Sequence, residues 1–179
     1  VELAVDRDTL VSSFEVLMDP RAECSREDRI AQFEFLKSIR DKVDETHDAI
    51  RHMRSVKSQV SGLLGRLEED DYPAIFEEAR ALDSLMTAVE EVLYQTKLKS
   101  NQDMLNFPIK LNNKLAHVGS LASMGVYAPT EQMVGVRDEV TALIDAELAK
   151  WHTLRDERLP AFNALIRDSA IDLIGVPEE

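Results

Sequence analysis

The chain has 179 residues, enough for one core-bearing domain with at most a small attachment. Aromatics at 6%, with six glycines and six prolines, are too few for an all-β protein, and the prevalence of Leu, Ala, Glu and Arg favours helix. The formal charge of −13 repels phosphate backbones and anionic membrane surfaces, so nucleic acid is excluded as an expected partner.

At the start, Val1, Leu3 and Val5 alternate with Glu2 and Ala4. Asp6-Arg7-Asp8 breaks the run, and Leu10 to Met18 resumes it with β-branched and aromatic residues. This predicts a β-hairpin over residues 1–20, ended by Asp19-Pro20 because proline cannot donate to a ladder. A lone hairpin is marginal in water, so the expectation is the end of a preceding β-domain whose sheet is completed elsewhere. The absence of methionine at position 1 reads as a processed or excised piece.

Residues 21–179 read as a second unit, an all-α antiparallel bundle of about four long helices. Ser25 is a credible N-cap, with Glu27 and Asp28 placed where negative charge meets the positive end of a helix. Beyond it a heptad seam runs through Leu36, Ile39, Val43, Thr46, Ile50, Met53, Lys57, Val60, Leu64 and Leu67, and only Thr46 and Lys57 in it are not apolar. A helix from Ser25 to Glu69 would be roughly 65 Å long. Gly62 and Gly65 weaken its end. Arg51, Arg54 and Lys57 read as a solvated face paired with Asp44, Glu45 and Asp48.

Asp70 to Pro73 makes a turn, and Ile75, Ala79, Leu82, Met86, Val89, Leu93 and Thr96 repeat the stepping on a second helix, giving a helical hairpin. Ser100 to Asn106 is irregular, and Pro108 is expected in the first turn of a third helix with the face Leu111, Leu115, Val118 and Ala122. Gly125 to Pro129 breaks the chain again. Thr130 then caps a fourth helix carrying Met133, Val136, Val140, Leu143, Trp151 and Leu154. Pro160 interrupts it, and Phe162, Leu165, Ile166 and Ile171 belong to a short packing helix that fades at Gly175 and Pro177.

A catalytic centre is not legible. Asp44-x-x-His47 is half of a bundle metal motif, but no second copy accompanies His117 or His152, and His47 and His52 read as exposed residues paired with acids. Pairs such as Glu90-Glu91 and Glu77-Glu78 read as solvated faces among 34 acidic residues. Cys24 and the serines lack a nucleophile motif, and there is no phosphate-binding glycine loop. No cofactor is expected. The least generic stretch is Asn101 to Ala116, in which Asp103 and Asn106 can bind turn backbone, Phe107 can anchor the loop and Pro108 can start a helix. Asn112 and Asn113 have no propensity reason to lie inside a helix. These residues, Asn106, Phe107, Pro108, Asn112 and Asn113, are read as a structural loop, with satisfaction of loop backbone or helix ends preferred over ligand recognition.

The junction Met18-Asp19-Pro20-Arg21, the run Leu85 to Glu91 with Tyr94-Gln95, the stretch Leu105 to Leu115, and Leu159 to Asn163 together resemble the C-terminal helical region of bacterial sortilin-like β-propeller proteins. Those proteins are often labelled glycosyl hydrolases for their propeller repeats. The resemblance implies a periplasmic or cell-surface setting, with any enzymatic role in a propeller that these residues do not include. No catalytic residue of that family maps onto this chain. The resulting expectation is a non-catalytic interaction or scaffolding module, part of a parent β-propeller or accessory to a larger envelope or membrane-associated assembly. The alternative is a helper domain of a glycan-active propeller, and a metal-dependent bundle enzyme is a third. Phe14, Val16, Phe33 and Phe35, near the hairpin and the start of the long helix, are the expected partner contacts.

Overall fold

The computed structural model of the chain describes residues 1–171, apart from the side chains of Asn101 and Met104. Two strands, β1 (Glu2–Val5) and β2 (Asp8–Val11), precede five helices: α1 (Arg26–Leu64), α2 (Pro73–Leu93), α3 (Leu111–Ala122), α4 (Glu131–Thr153) and α5 (Leu159–Asp168). A 3-10 turn at Asn101–Leu105 lies between α2 and α3, and a π-helical turn at Leu154–Arg158 joins α4 to α5. The fold is the expected all-α antiparallel bundle with a small N-terminal hairpin. Gly175, Pro177 and the last residues of the anticipated tail helix lie outside the described residues.

The hairpin pairs Glu2 with Val11 and Leu3 with Leu10 around a turn in which Asp6 takes a positive φ of 55°. Aspartate tolerates that conformation because its short side chain can bond locally. The second strand is shorter than its composition suggests. It stops at Val11, and residues 12–19 have no regular structure. No neighbouring strand is present among the described residues to supply their ladder partners, so β propensity alone does not extend the pairing.

α1 starts as its sequence dictates. Ser25 Oγ accepts from the Asp28 backbone N–H at 3.0 Å, and Asp28 Oδ2 accepts from the Ser25 N–H at 3.0 Å, a complete capping box. The helix spans 39 residues, about 58 Å at 1.5 Å per residue, and stops at Gly65. Neither α2 nor α3 is long enough to cover it alone. Arg54 reaches Glu90 and Lys57 reaches Thr87 on α2, whereas His47 meets Asn112 and Gln32 donates to Ala122 O of α3. α2 and α3 therefore follow one another, both antiparallel to α1, as a second rod broken near the level of His47. α4 runs parallel to α1, with Arg137 near Ser38 and Lys42 bound to Asp145. Through the π turn it continues into α5, and Arg158 at the end of that turn pairs with Glu78 on α2.

The core lies along the seams of these rods. Ile39, Ile50, Met53, Ile75, Leu82, Met86, Val89, Leu93, Leu115, Ile144, Leu148 and Trp151 are all buried. The Thr46 exception is resolved locally, its hydroxyl donating to Lys42 O at 2.7 Å. Gly119 lets α3 approach α1 closely, because a Cβ there would lie 3.3 Å from Ile39 Cγ2.

Three helix expectations are corrected. Pro108 is outside α3, which begins at Leu111 with Lys110 as its N-cap. On α4, Val136 and Leu143 are exposed; the buried stripe runs through Val140, Ile144, Leu148 and Trp151, in a helix that packs on α1, α2 and α3. Pro160 does not interrupt the rod. The wider π turn just before it shifts the carbonyl register, so a residue without an N–H is accommodated near the start of α5.

Candidate functional site

The break in the second rod gathers polar groups that heptad reading treats as surface. Glu90 follows Met86 by four residues on α2, so it shares the buried stripe and faces α1 rather than water. Its side chain is 7% exposed, and Oε1 accepts from Arg54 at 2.7 Å. The same guanidinium lies 5.1 Å above the Tyr94 ring, a cation–π contact. His47 meets that ring edge-on, with centroids 6.3 Å apart. The His47 Nε2 in turn sits 3.2 Å from Asn112 Nδ2. Next in the chain, the Gln95 amide donates from Nε2 to Pro108 O at 2.8 Å and accepts at Oε1 from the Lys97 N–H at 3.2 Å, so one buried side chain ties the two ends of the α2–α3 connection.

This corrects several expectations. His47 is half-buried and packed against Asn112 and Tyr94 instead of pairing with acids, while His52 is exposed. Glu90 is buried rather than solvated. Of Arg51, Arg54 and Lys57, only Arg51 pairs locally, with Asp48; Arg54 and Lys57 bind Glu90, Thr87 and Asp83 on α2. Asn112 is buried against a neighbouring helix side chain, not against loop backbone or a helix end, and its Oδ1 has no hydrogen-bond partner. Arg54, Glu90, Tyr94 and Gln95 do not stand out in the sequence as a group. The one signal it offers is the four-residue step from Met86 to Glu90.

In the connection itself, Asp103 organises the turn. Its Oδ2 accepts from the Lys99 and Ser100 N–H groups at 2.6 and 2.9 Å, bonds that hold its carboxyl below the usual carboxylate range. Phe107 and Asn113 are half-buried, and Asn106 is exposed, with its backbone N–H donating to Asp103 O at 2.9 Å.

The N-terminal segment is arranged differently. Every residue from 1 to 21 is exposed, and among the described residues neither strand packs on a helix. Val1, Leu3, Val5 and Leu10 share one face of the hairpin, since Leu3 pairs with Leu10; Glu2, Ala4, Thr9 and Val11 share the other. Phe14, Val16 and Phe33 are 69%, 81% and 61% exposed. Phe35 is the correction in this group. It is 3% exposed beneath the Arg137 guanidinium, which lies 4.9 Å from its ring centre, because position 35 lies one turn before Ile39 on the buried stripe and position 33 does not.

Among the described residues there is no cluster of three His, Cys, Asp or Glu side chains able to hold a metal ion, and no helix long and apolar enough to cross a membrane. Cys24 is a half-buried free thiol. The chain matches no family model, no curated protein and no solved structure.

Proposed function

We propose that the chain is a non-catalytic interaction or scaffolding module whose bundle is a rigid support and whose N-terminal segment docks on a β-rich partner in the bacterial periplasm or at the cell surface. One observation carries this reading. Residues 1–18 present Val1, Leu3, Val5, Leu10, Val11, Phe14, Val16 and Leu17 to solvent, all more than half exposed, without packing on the helices. Four of these, Val1, Leu3, Val5 and Leu10, share one face of the hairpin, and a grouped exposed apolar face of this kind is a mark of a protein contact site. Both hairpin edges have free N–H and C=O groups, so addition to another sheet satisfies them while the Leu3 face is covered. The resemblance to sortilin-like proteins supports a parent propeller protein or its assembly as that partner.

The test is hydrogen exchange on the chain alone and in the complex isolated with its native partner. Protection gained at residues 2–11 is the expected result. Protection confined to residues 130–171, with the first 35 unchanged, defeats the reading. The same resemblance favours one second reading, a helper domain of a glycan-active propeller. Oligosaccharide turnover by the chain, abolished by a single carboxylate substitution, would establish catalysis here and displace the non-catalytic assignment.

A further inference from the structure

The third rod changes character at its C-terminal end. α4 is packed on α1, α2 and α3, whereas α5 packs on α2 and on the π turn that precedes it and makes no close backbone approach to α1. A gap of about 200 Å³ lies between them, lined by Val56, Val60 and Leu63 of α1 and by Leu159, Phe162 and Ile166 of α5. A second, more open groove of about 480 Å³ runs along the other side of α5, where Ala74, Glu78 and Ala81 of α2 face Arg158, Phe162 and Leu165. Phe162 lines both, and it is the one side chain of α5 that is fully buried. Leu159, Leu165 and Ile166 are half-buried.

We infer that α5 is a hinged cover that opens as a unit about the Leu154–Arg158 π turn while α1 to α4 stay folded. Three features combine to give this. The π turn interrupts the regular α-helical ladder, and Pro160 removes a further N–H from the same stretch. Beyond it, α5 has one fully buried side chain, Phe162, beside the half-buried Leu159, Leu165 and Ile166 packed on the core, and at its base the Arg158–Glu78 pair at 2.6 Å joins the π turn to α2 with both members partly solvated. α4 makes no close backbone approach to α5 and packs instead on α1, α2 and α3. Local opening of this kind draws on elements with few buried neighbours. Opening further uncovers the half-buried Ala81 of α2 and the half-buried Val56, Val60 and Leu63 of α1, apolar positions at helical spacing. The inference is independent of the docking proposed for the hairpin, which lies on a different element.

Native-state hydrogen exchange at low urea tests it on the whole chain. Amides of residues 161–168 should exchange at least 100-fold faster than those in the centre of α2, with little dependence on urea, because a local opening exposes little surface. Exchange of α5 at the rate and urea dependence of the α2 core would overturn the inference. A second arm uses Phe162→Asp. The variant should keep a cooperative melt and the buried-type emission of Trp151, whereas Leu148→Asp should abolish both; loss of both signals in Phe162→Asp shows that α5 is integral to the bundle and refutes the hinge.

Discussion

The imidazole of His47 meets the side-chain amide of Asn112 at 3.2 Å, at the level where the second rod passes from α2 to α3. In that arrangement Nδ2 faces the ring nitrogen, and Oδ1 is left buried without a donor. A buried acceptor in that condition costs about 1–3 kcal/mol, which offsets much of the bond its neighbouring nitrogen makes. Asn112→Leu, close in volume and free of polar atoms, should therefore change stability by no more than about 1 kcal/mol in urea unfolding. A decrease of ~3 kcal/mol would mean that the amide is fully bonded in solution.

The Arg54–Glu90 pair should respond asymmetrically. Glu90 is 7% exposed at its side chain and Arg54 is 51% exposed, so removing the arginine strands a buried carboxylate, whereas removing the charge of the carboxylate leaves a guanidinium that water can reach. Arg54→Ala is expected to cost about 2 kcal/mol, and Glu90→Gln, which keeps shape and an acceptor, about 1 kcal/mol or less. Chemical denaturation of the two variants gives the order; the reverse order would contradict the burial assigned to Glu90.

Phe33 and Phe35 are two residues apart and should behave oppositely. Phe35→Ala empties a core site and also deprives the Arg137 guanidinium of the ring it lies over, so stability is expected to fall by about 3–4 kcal/mol. Phe33→Ala should stay within roughly 0.5 kcal/mol of the parent protein in the same thermal melts. Under the proposed function, the Phe33 change should be felt in partner affinity instead.

Phe107 is half-buried, so its truncation should be milder than that of a core aromatic. An expected cost for Phe107→Ala is about 1–2 kcal/mol, measured by urea unfolding, with helix content unchanged in circular dichroism. A drop in partner affinity at unchanged stability would make this loop a recognition element.

Acid should loosen two helix starts. The Ser25 hydroxyl and N–H hold the Asp28 carboxyl below the ordinary value of 3.8, and the Lys99 and Ser100 N–H groups do the same for Asp103. A depressed folded-state value means that each ionised cap contributes in full above the ordinary value and that this contribution disappears as the pH falls from there through the lower folded one. Amide resonances of Ser25, Lys99 and Ser100 followed by NMR should move with midpoints below 3.8, and midpoints at or above it would show that the caps do not form.

Local rules settle much of this molecule. Ser25 and Thr130 cap helices because their oxygens reach the orphan N–H groups three residues on, and the stepping from Ile75 to Leu93 predicts a stripe that is buried throughout. Thr46 and Trp151 are core residues, as periodicity implies. Such features depend on spacing along one helix, and spacing is written in the chain.

What periodicity does not supply is which helix faces which. Pairing α1 with α2 and then α3 in line is a matter of lengths and connections, and it is this arrangement that buries Glu90, half-buries His47 and brings Asn112 against it. Phe35 lies close to the hairpin in sequence, yet its phase with Ile39 places it in the core beside α4, and only the packing of α4 makes that phase outweigh its neighbourhood. Several phases of α4 carry apolar residues, Val136 and Leu143 among them, and only packing against two rods at once selects Ile144 and Leu148. The composition of residues 1–18 announces a hairpin, and the tertiary structure decides that the bundle leaves it uncovered, since the helices pack on one another and neither strand packs on a helix among the described residues.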